Sequence, residues 1–137
     1  MASFVTNVGS YSLQGQGTPV VFASDTIKAR LVASSATVGK DDTSMTPYTA
    51  IGTDQTLSSK GVANNTTDDR TQYTQSATLT WSAVAGGSTI GYIAVFKFVT
   101  NDAGSMPLFV FDITDTPTNG SDITWTPPSN ILAYTQQ

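Results

Sequence analysis

Thr89-Ile-Gly-Tyr-Ile-Ala-Val-Phe-Lys-Phe-Val-Thr100 carries the reading of the fold. As a strand, its side chains alternate between two sides. Ile90, Tyr92, Ala94, Phe96 and Phe98 fall on one, and Ile93, Val95 and Val99 on the other. Both sides are apolar, which is the pattern of a central strand covered on both faces. Outward from it the same two-residue period recurs. Residues 75–83 set Ala77, Leu79 and Trp81 against Ser76, Thr78 and Thr80, and residues 25–33 set Ile27, Ala29 and Leu31 against Lys28 and Arg30. Residues 108–114 are nearly continuous in apolar side chains, residues 122–126 carry Ile123 and Trp125, and residues 131–135 read as a final edge strand. Gly86-Gly87, residues 101–107, residues 117–120 and Pro127-Pro128 punctuate these segments.

The region 34–70 is polar and too long for a featureless loop in a compact domain, so short strands are expected near 48–51 and 57–62. The total is about seven to nine short strands, which predicts an all-β fold: an antiparallel β-sandwich or a partly closed barrel. No window holds a helical period longer than two turns. Residues 1–24 contain Gly9, Gly15, Gly17 and Pro19 among polar neighbours. They predict an extended N-terminal arm ending in a short strand at 20–23, followed by one domain over 25–137.

Composition excludes much chemistry. A chain of 137 residues makes one domain of ordinary size. It contains no cysteine, so disulfides and thiolate chemistry are ruled out. Histidine and glutamate are absent too, which removes the usual proton carriers of neutral-pH catalysis. Serine and threonine exceed a quarter of the chain, a composition suited to strands and turns. Net charge is −4 with 12% charged residues, so the basic stripe that nucleic acid or an anionic membrane requires is missing. The N-terminal residues lack the basic and apolar regions of a secretory signal. No apolar run approaches the ~20 residues of a membrane span.

Three motifs invite a chemical reading and are better read structurally. Gly86-Gly-Ser-Thr-Ile-Gly91 resembles a phosphate cradle, but no helix follows it, so a hairpin turn is expected. Asp42-Thr43-Ser44 has the look of an aspartic-protease signature without the preceding hydrophobic strand, and reads as a solvated turn. Asn64, Asn65, Asp68 and Asp69, or Asp112 with Asp115, offer hard oxygen atoms of the kind calcium takes, yet these residue types also form ordinary turns. No metal and no cofactor is expected. The aromatic residues Trp81, Tyr92, Phe96, Phe98, Phe109, Phe111 and Trp125 fall mostly at core-facing positions.

Four pieces in order then resemble a family of small virion proteins of tailed bacteriophages. They are Asp25-Thr-Ile-Lys-Ala-Arg-Leu-Val-Ala-Ser-Ser35; Leu79-Thr-Trp-Ser82 with Thr89-Ile90 and Tyr92-Ile-Ala-Val-Phe-Lys97; Pro107-Leu108 leading to Asp112; and Ile123-Thr-Trp125. Order and spacing hold over roughly a hundred residues. The family's N-terminal segment is more helical, whereas Gly15, Gly17 and Pro19 favour an extended one here. The resemblance implies a non-enzymatic structural protein of the virion, assembled in the host cytoplasm, with no catalytic residues to carry over.

The expected role is that of a capsid decoration, or cement, protein bound to the major capsid protein or to other virion proteins. A homo-oligomer is expected, with a trimer at a local threefold axis as the specific form. The arm would supply the contacts by strand addition to a neighbour, through Ser3, Phe4, Val5, Tyr11, Leu13, Val20 and Val21. The alternatives are a tail, neck or fibre-base component, and a glycan-binding attachment module presenting Trp81 or Trp125 to solvent.

Overall fold

The computed structural model describes residues 2–66, 70–75, 77–128 and 132–135. Among them are ten strands and one helix: β1 (Phe4–Val5), α1 (Asn7–Leu13), β2 (Ile27–Ala33), β3 (Ala50–Thr56), β4 (Lys60–Asn65), β5 (Arg70–Gln75), β6 (Leu79–Trp81), β7 (Thr89–Lys97), β8 (Met106–Pro117), β9 (Ile123–Trp125) and β10 (Leu132–Thr135). The fold is all-β and every pairing is antiparallel. A five-stranded sheet runs β1-β8-β7-β2-β3, a three-stranded one β10-β5-β4, and β6 pairs with β9. The sheets are open, so the architecture is sandwich-like and not a closed barrel. The tenth strand of the count reflects β1 and β5, two segments without a readable alternation. The strand expected at 20–23 is instead a turn, closed by the Asp25 N–H bonding to the Val21 carbonyl at 2.8 Å.

β7 occupies the centre of the large sheet and is buried along most of its length, as its two apolar sides require. One side, through Ile93 and Val95, joins Ile27, Ala29 and Leu31 of β2 and Phe109 of β8 in the main core. The small sheets close over it with Tyr73, Leu79 and Trp81. The other side places Ala94 and Phe96 beside Val32 and Val110, beneath Val38, Met45 and Tyr48 of the β2–β3 connection. That long polar segment is thus a lid with three buried apolar side chains.

Opposite the single residue Arg30, β3 carries Gly52, Thr53 and Asp54, opposite the single residue Gly91, β8 carries Ile113, Thr114 and Asp115, and two further irregularities of register alter the simple alternation. Val32 pairs with Tyr92 and Ala33 with Ile90, so β2 has no residue opposite Gly91. This bulge moves Ile90 from the side it was expected to share with Tyr92 onto the main core. A Cβ at Gly91 would lie 2.6 Å from the Ser34 Cα, so the two backbones meet there without room for a side chain. On β8, Val95 pairs with Phe109 but Phe96 with Pro107, leaving Leu108 as an extra residue. Leu108 and Phe109 consequently both reach the main core.

The extended arm expected over residues 1–24 is not what forms. Phe4 and Val5 pair with Val110 and Phe109 at the edge of the protein's own large sheet. Thr6 then caps α1: its Oγ1 accepts from the Gly9 N–H at 3.0 Å and donates to the Pro107 carbonyl at 2.6 Å. Gly9 lets the helix lie on β8, where a Cβ would come within 2.8 Å of the Leu108 Cα. The turn after the helix uses positive φ at Gly15 (83°) and Gly17 (58°). Glycines that suggested an extended chain therefore terminate a helix. Leu13, Val20 and Phe22 all enter the main core, and Phe22 meets Tyr73 edge-on with ring centroids 5.6 Å apart. Residues 2–24 are part of the domain.

Candidate functional site

The seven residues expected to clamp a partner separate into three groups. Leu13 and Val20 are buried and cannot touch another molecule while the fold stands. Phe4 and Val5 are half-buried, paired to β8, and Ser3 Oγ accepts the Asp112 N–H at 2.9 Å. Tyr11 and Val21 remain, 55% and 57% exposed, the former on the outer side of α1 and the latter in the turn before β2. Large apolar surface held in water on ordered backbone is the kind that interfaces use. Of the expected clamp, these two side chains stay available.

The structure also holds a buried charged centre on the second face of the large sheet. Arg30 of β2, expected on a solvent face opposite Ile27, Ala29 and Leu31, is 5% exposed. The β2–β3 connection covers that face. The guanidinium makes two forked pairs, to Asp54 at 2.7 and 2.9 Å and to Asp102 at 2.7 and 2.9 Å. It also donates to the Tyr48 carbonyl at 3.1 Å and lies over the Phe96 ring. Burial opposes its charge, but the two carboxylates outweigh burial and hold its pKa above the ordinary value. Asp102 is held below the usual carboxylate range, chiefly by its hydrogen bonds to Arg30. Burial pushes the Tyr48 phenol up and so keeps it neutral. The triad ties together β2, the bulged part of β3 and the β7–β8 turn. It has the build of a structural tie with every donor engaged, and it leaves no proton to move.

The remaining motifs resolve locally. Asp42 accepts the Gly39 N–H at 2.7 Å, which is the turn expected of Asp42-Thr43-Ser44. Gly86-Gly87 is not a hairpin turn, because β6 and β7, which it joins, belong to different sheets; the segment crosses between layers. A cleft of about 460 Å³ opens beside it, between β3 and residues 81–88, with an uncharged lining. The Trp81 Nε1 at its wall has no hydrogen-bond partner among the described residues. Asp112 and Asp115 are exposed, and among the described residues no three acidic side chains converge as a metal site would require. The Asp68–Asp69 part of the other oxygen-rich candidate lies outside the described residues. No helix among the described residues is long and apolar enough to cross a membrane. Comparison with protein-family models, curated proteins and solved structures gave no match.

Proposed function

We propose that this protein is a structural component of a tailed-bacteriophage particle, and specifically a capsid decoration protein that binds the major capsid protein. One observation carries the reading. The four sequence pieces that resemble small phage virion proteins coincide with β2, β6 with β7, β8 and β9, the strands that build the main core. The resemblance therefore runs through the packing of the molecule and not through its loops. Its physical character agrees with such a role: a rigid sandwich-like body, stabilised by packing and an internal charge tie, with apolar contact residues held on ordered backbone. Docking runs through Tyr11 and Val21, in place of the strand-adding clamp of the extended-arm expectation. Copies arranged as a trimer around a local threefold axis would present this pair three times to the shell.

Mass spectrometry of fractionated particles from a phage encoding this chain tests the reading. Capsid decoration predicts the protein in purified heads, at a copy number in fixed proportion to the major capsid protein. Detection in tails alone moves the assignment to the tail or neck, and absence from both ends it. A Tyr11→Ala, Val21→Ser double variant should lower occupancy on heads at least tenfold while keeping the wild-type melting temperature, given typical contributions of buried interface anchors.

A further inference from the structure

Asn119-Gly120 is the one place in the chain where glycine follows asparagine. The pair is exposed in the turn between β8 and β9. Gly120 has a φ of 88°, so the backbone bends there through the left-handed region that glycine enters freely. Hydrogen bonds stitch this turn to the connection between β6 and β7. The Gly120 N–H donates to the Val84 carbonyl at 2.8 Å, and the Val84 N–H donates to the Ser121 carbonyl at 3.1 Å. On one side of that pair, the Thr118 N–H donates to the Ser88 carbonyl at 2.8 Å and Thr118 Oγ1 accepts the Ser88 N–H at 3.0 Å. On the other, Asp122 accepts the Ala83 N–H at 2.7 Å. Val84 is buried in the main core, so the seam is anchored from below. The two segments lie close: a Cβ at Gly86 would sit 3.5 Å from the Asn119 Cα.

An asparagine followed by glycine carries its own nucleophile, because no side chain shields the next backbone nitrogen. Once that nitrogen has given its proton to hydroxide, it attacks the asparagine Cγ. The new C–N bond closes a five-membered succinimide, and the side-chain nitrogen leaves as ammonia with a proton returned from water. Water then opens the ring at either carbonyl, giving aspartate or isoaspartate. No other reagent is needed. In this fold both partners of the step are occupied. The Gly120 N–H is held in the seam, and Asn119 Oδ1 accepts the Ser121 N–H at 3.1 Å. The nitrogen is freed to react only when the seam opens.

We propose that Asn119 is a self-modification site gated by this seam, preserved while residues 84–88 and 117–121 stay joined and converted when they part. The change is one-way. Isoaspartate routes the main chain through the former side chain and adds a methylene to it. The lengthened turn cannot bring the Gly120 N–H and the Ser121 carbonyl back onto Val84 together. Conversion therefore leaves the β6–β7 connection, which walls the cleft beside Trp81, without its strap. This inference goes beyond the phage assignment and does not depend on it.

The test follows the full-length protein at mildly alkaline pH, with mass spectrometry of its peptides reading conversion at Asn119. Deamidation should run at least tenfold faster in guanidinium chloride than in buffer, since several hydrogen bonds must open together first. The same factor should describe protection of the Gly120 amide against hydrogen exchange, because one opening exposes both. A Thr118→Val variant with unchanged circular dichroism loses the hydroxyl that holds Ser88. It should raise both the deamidation and the Gly120 exchange rates in buffer by about fivefold, the worth of one hydrogen bond. An Asn119→Asp variant keeps an acceptor for the Ser121 N–H and should retain Gly120 protection, whereas the purified isoaspartate form should lose it. Equal rates in buffer and denaturant, no conversion in either, faster Gly120 exchange in Thr118→Val without faster deamidation, or an isoaspartate form with full Gly120 protection would each overturn the proposal.

Discussion

Arg30 holds the second face of the large sheet by charge where the main core relies on packing. Its planar fork suits two carboxylates at once, which lysine could not reproduce. Replacing it with methionine leaves Asp54 only 17% exposed and without its cation, and should lower the unfolding free energy by about 3 kcal/mol in urea titrations. Asp102 is half exposed, so Asp102→Asn should cost about 0.5–1 kcal/mol at neutral pH. Because its folded pKa lies below the unfolded value of about 3.9, this contribution is complete above that pH and fades as the pH drops through the lowered value. Wild type and Asp102→Asn should thus differ in urea midpoint at pH 7 and converge in strong acid. The sequence pattern of β2 separated Arg30 from Ile27, Ala29 and Leu31 correctly but could not tell solvent from a second covered face. What decides is the connection lying above it, where Val38, Met45 and Tyr48 follow no period. Gly91 was equally mute: its need for a bare backbone comes from Ser34, 57 positions earlier. Gly91→Ala should destabilise by about 2 kcal/mol.

Among the elements, strands announced themselves and the helix did not. β2, β7, β8 and β9 were legible because alternation or continuous apolarity is set by sheet burial itself. A helix of seven residues has little stability of its own, and α1 exists because Thr6 caps it and β8 receives it. Its signals were nevertheless present: a threonine three positions before Gly9, and Gly15 just past the end. Thr6→Ala removes the cap and strands the buried Pro107 carbonyl, and should cost about 2 kcal/mol with loss of α1 amide protection in hydrogen exchange. Gly9→Ala offers a sharper check. Propensity alone would favour alanine by about 1 kcal/mol, but the approach to Leu108 should reverse the sign and make the variant less stable.

At the scale of the whole molecule, cohesion comes from apolar burial on both faces of one sheet. Chelators and reductants should therefore leave the melting temperature unchanged, and a fall of several degrees with EDTA would reveal a metal-dependent site. Trp81 is 2% exposed and Trp125 half-buried, so acrylamide should quench a Trp81→Phe variant more strongly than a Trp125→Phe variant. The candidate contact residues were only partly legible. Tyr11 and Val21 stay at the surface, whereas Leu13 and Val20 look identical in sequence and are taken inward by Tyr73 and its neighbours. The wide irregularity at Gly52–Asp54 has a further effect. It recurs on the part of β8 that β1 leaves uncovered, where Ile113, Thr114 and Asp115 face the single Gly91, so neither margin offers a newcomer an unbroken row of backbone groups. However densely copies are crowded, they are kept from fusing margin to margin into fibrils.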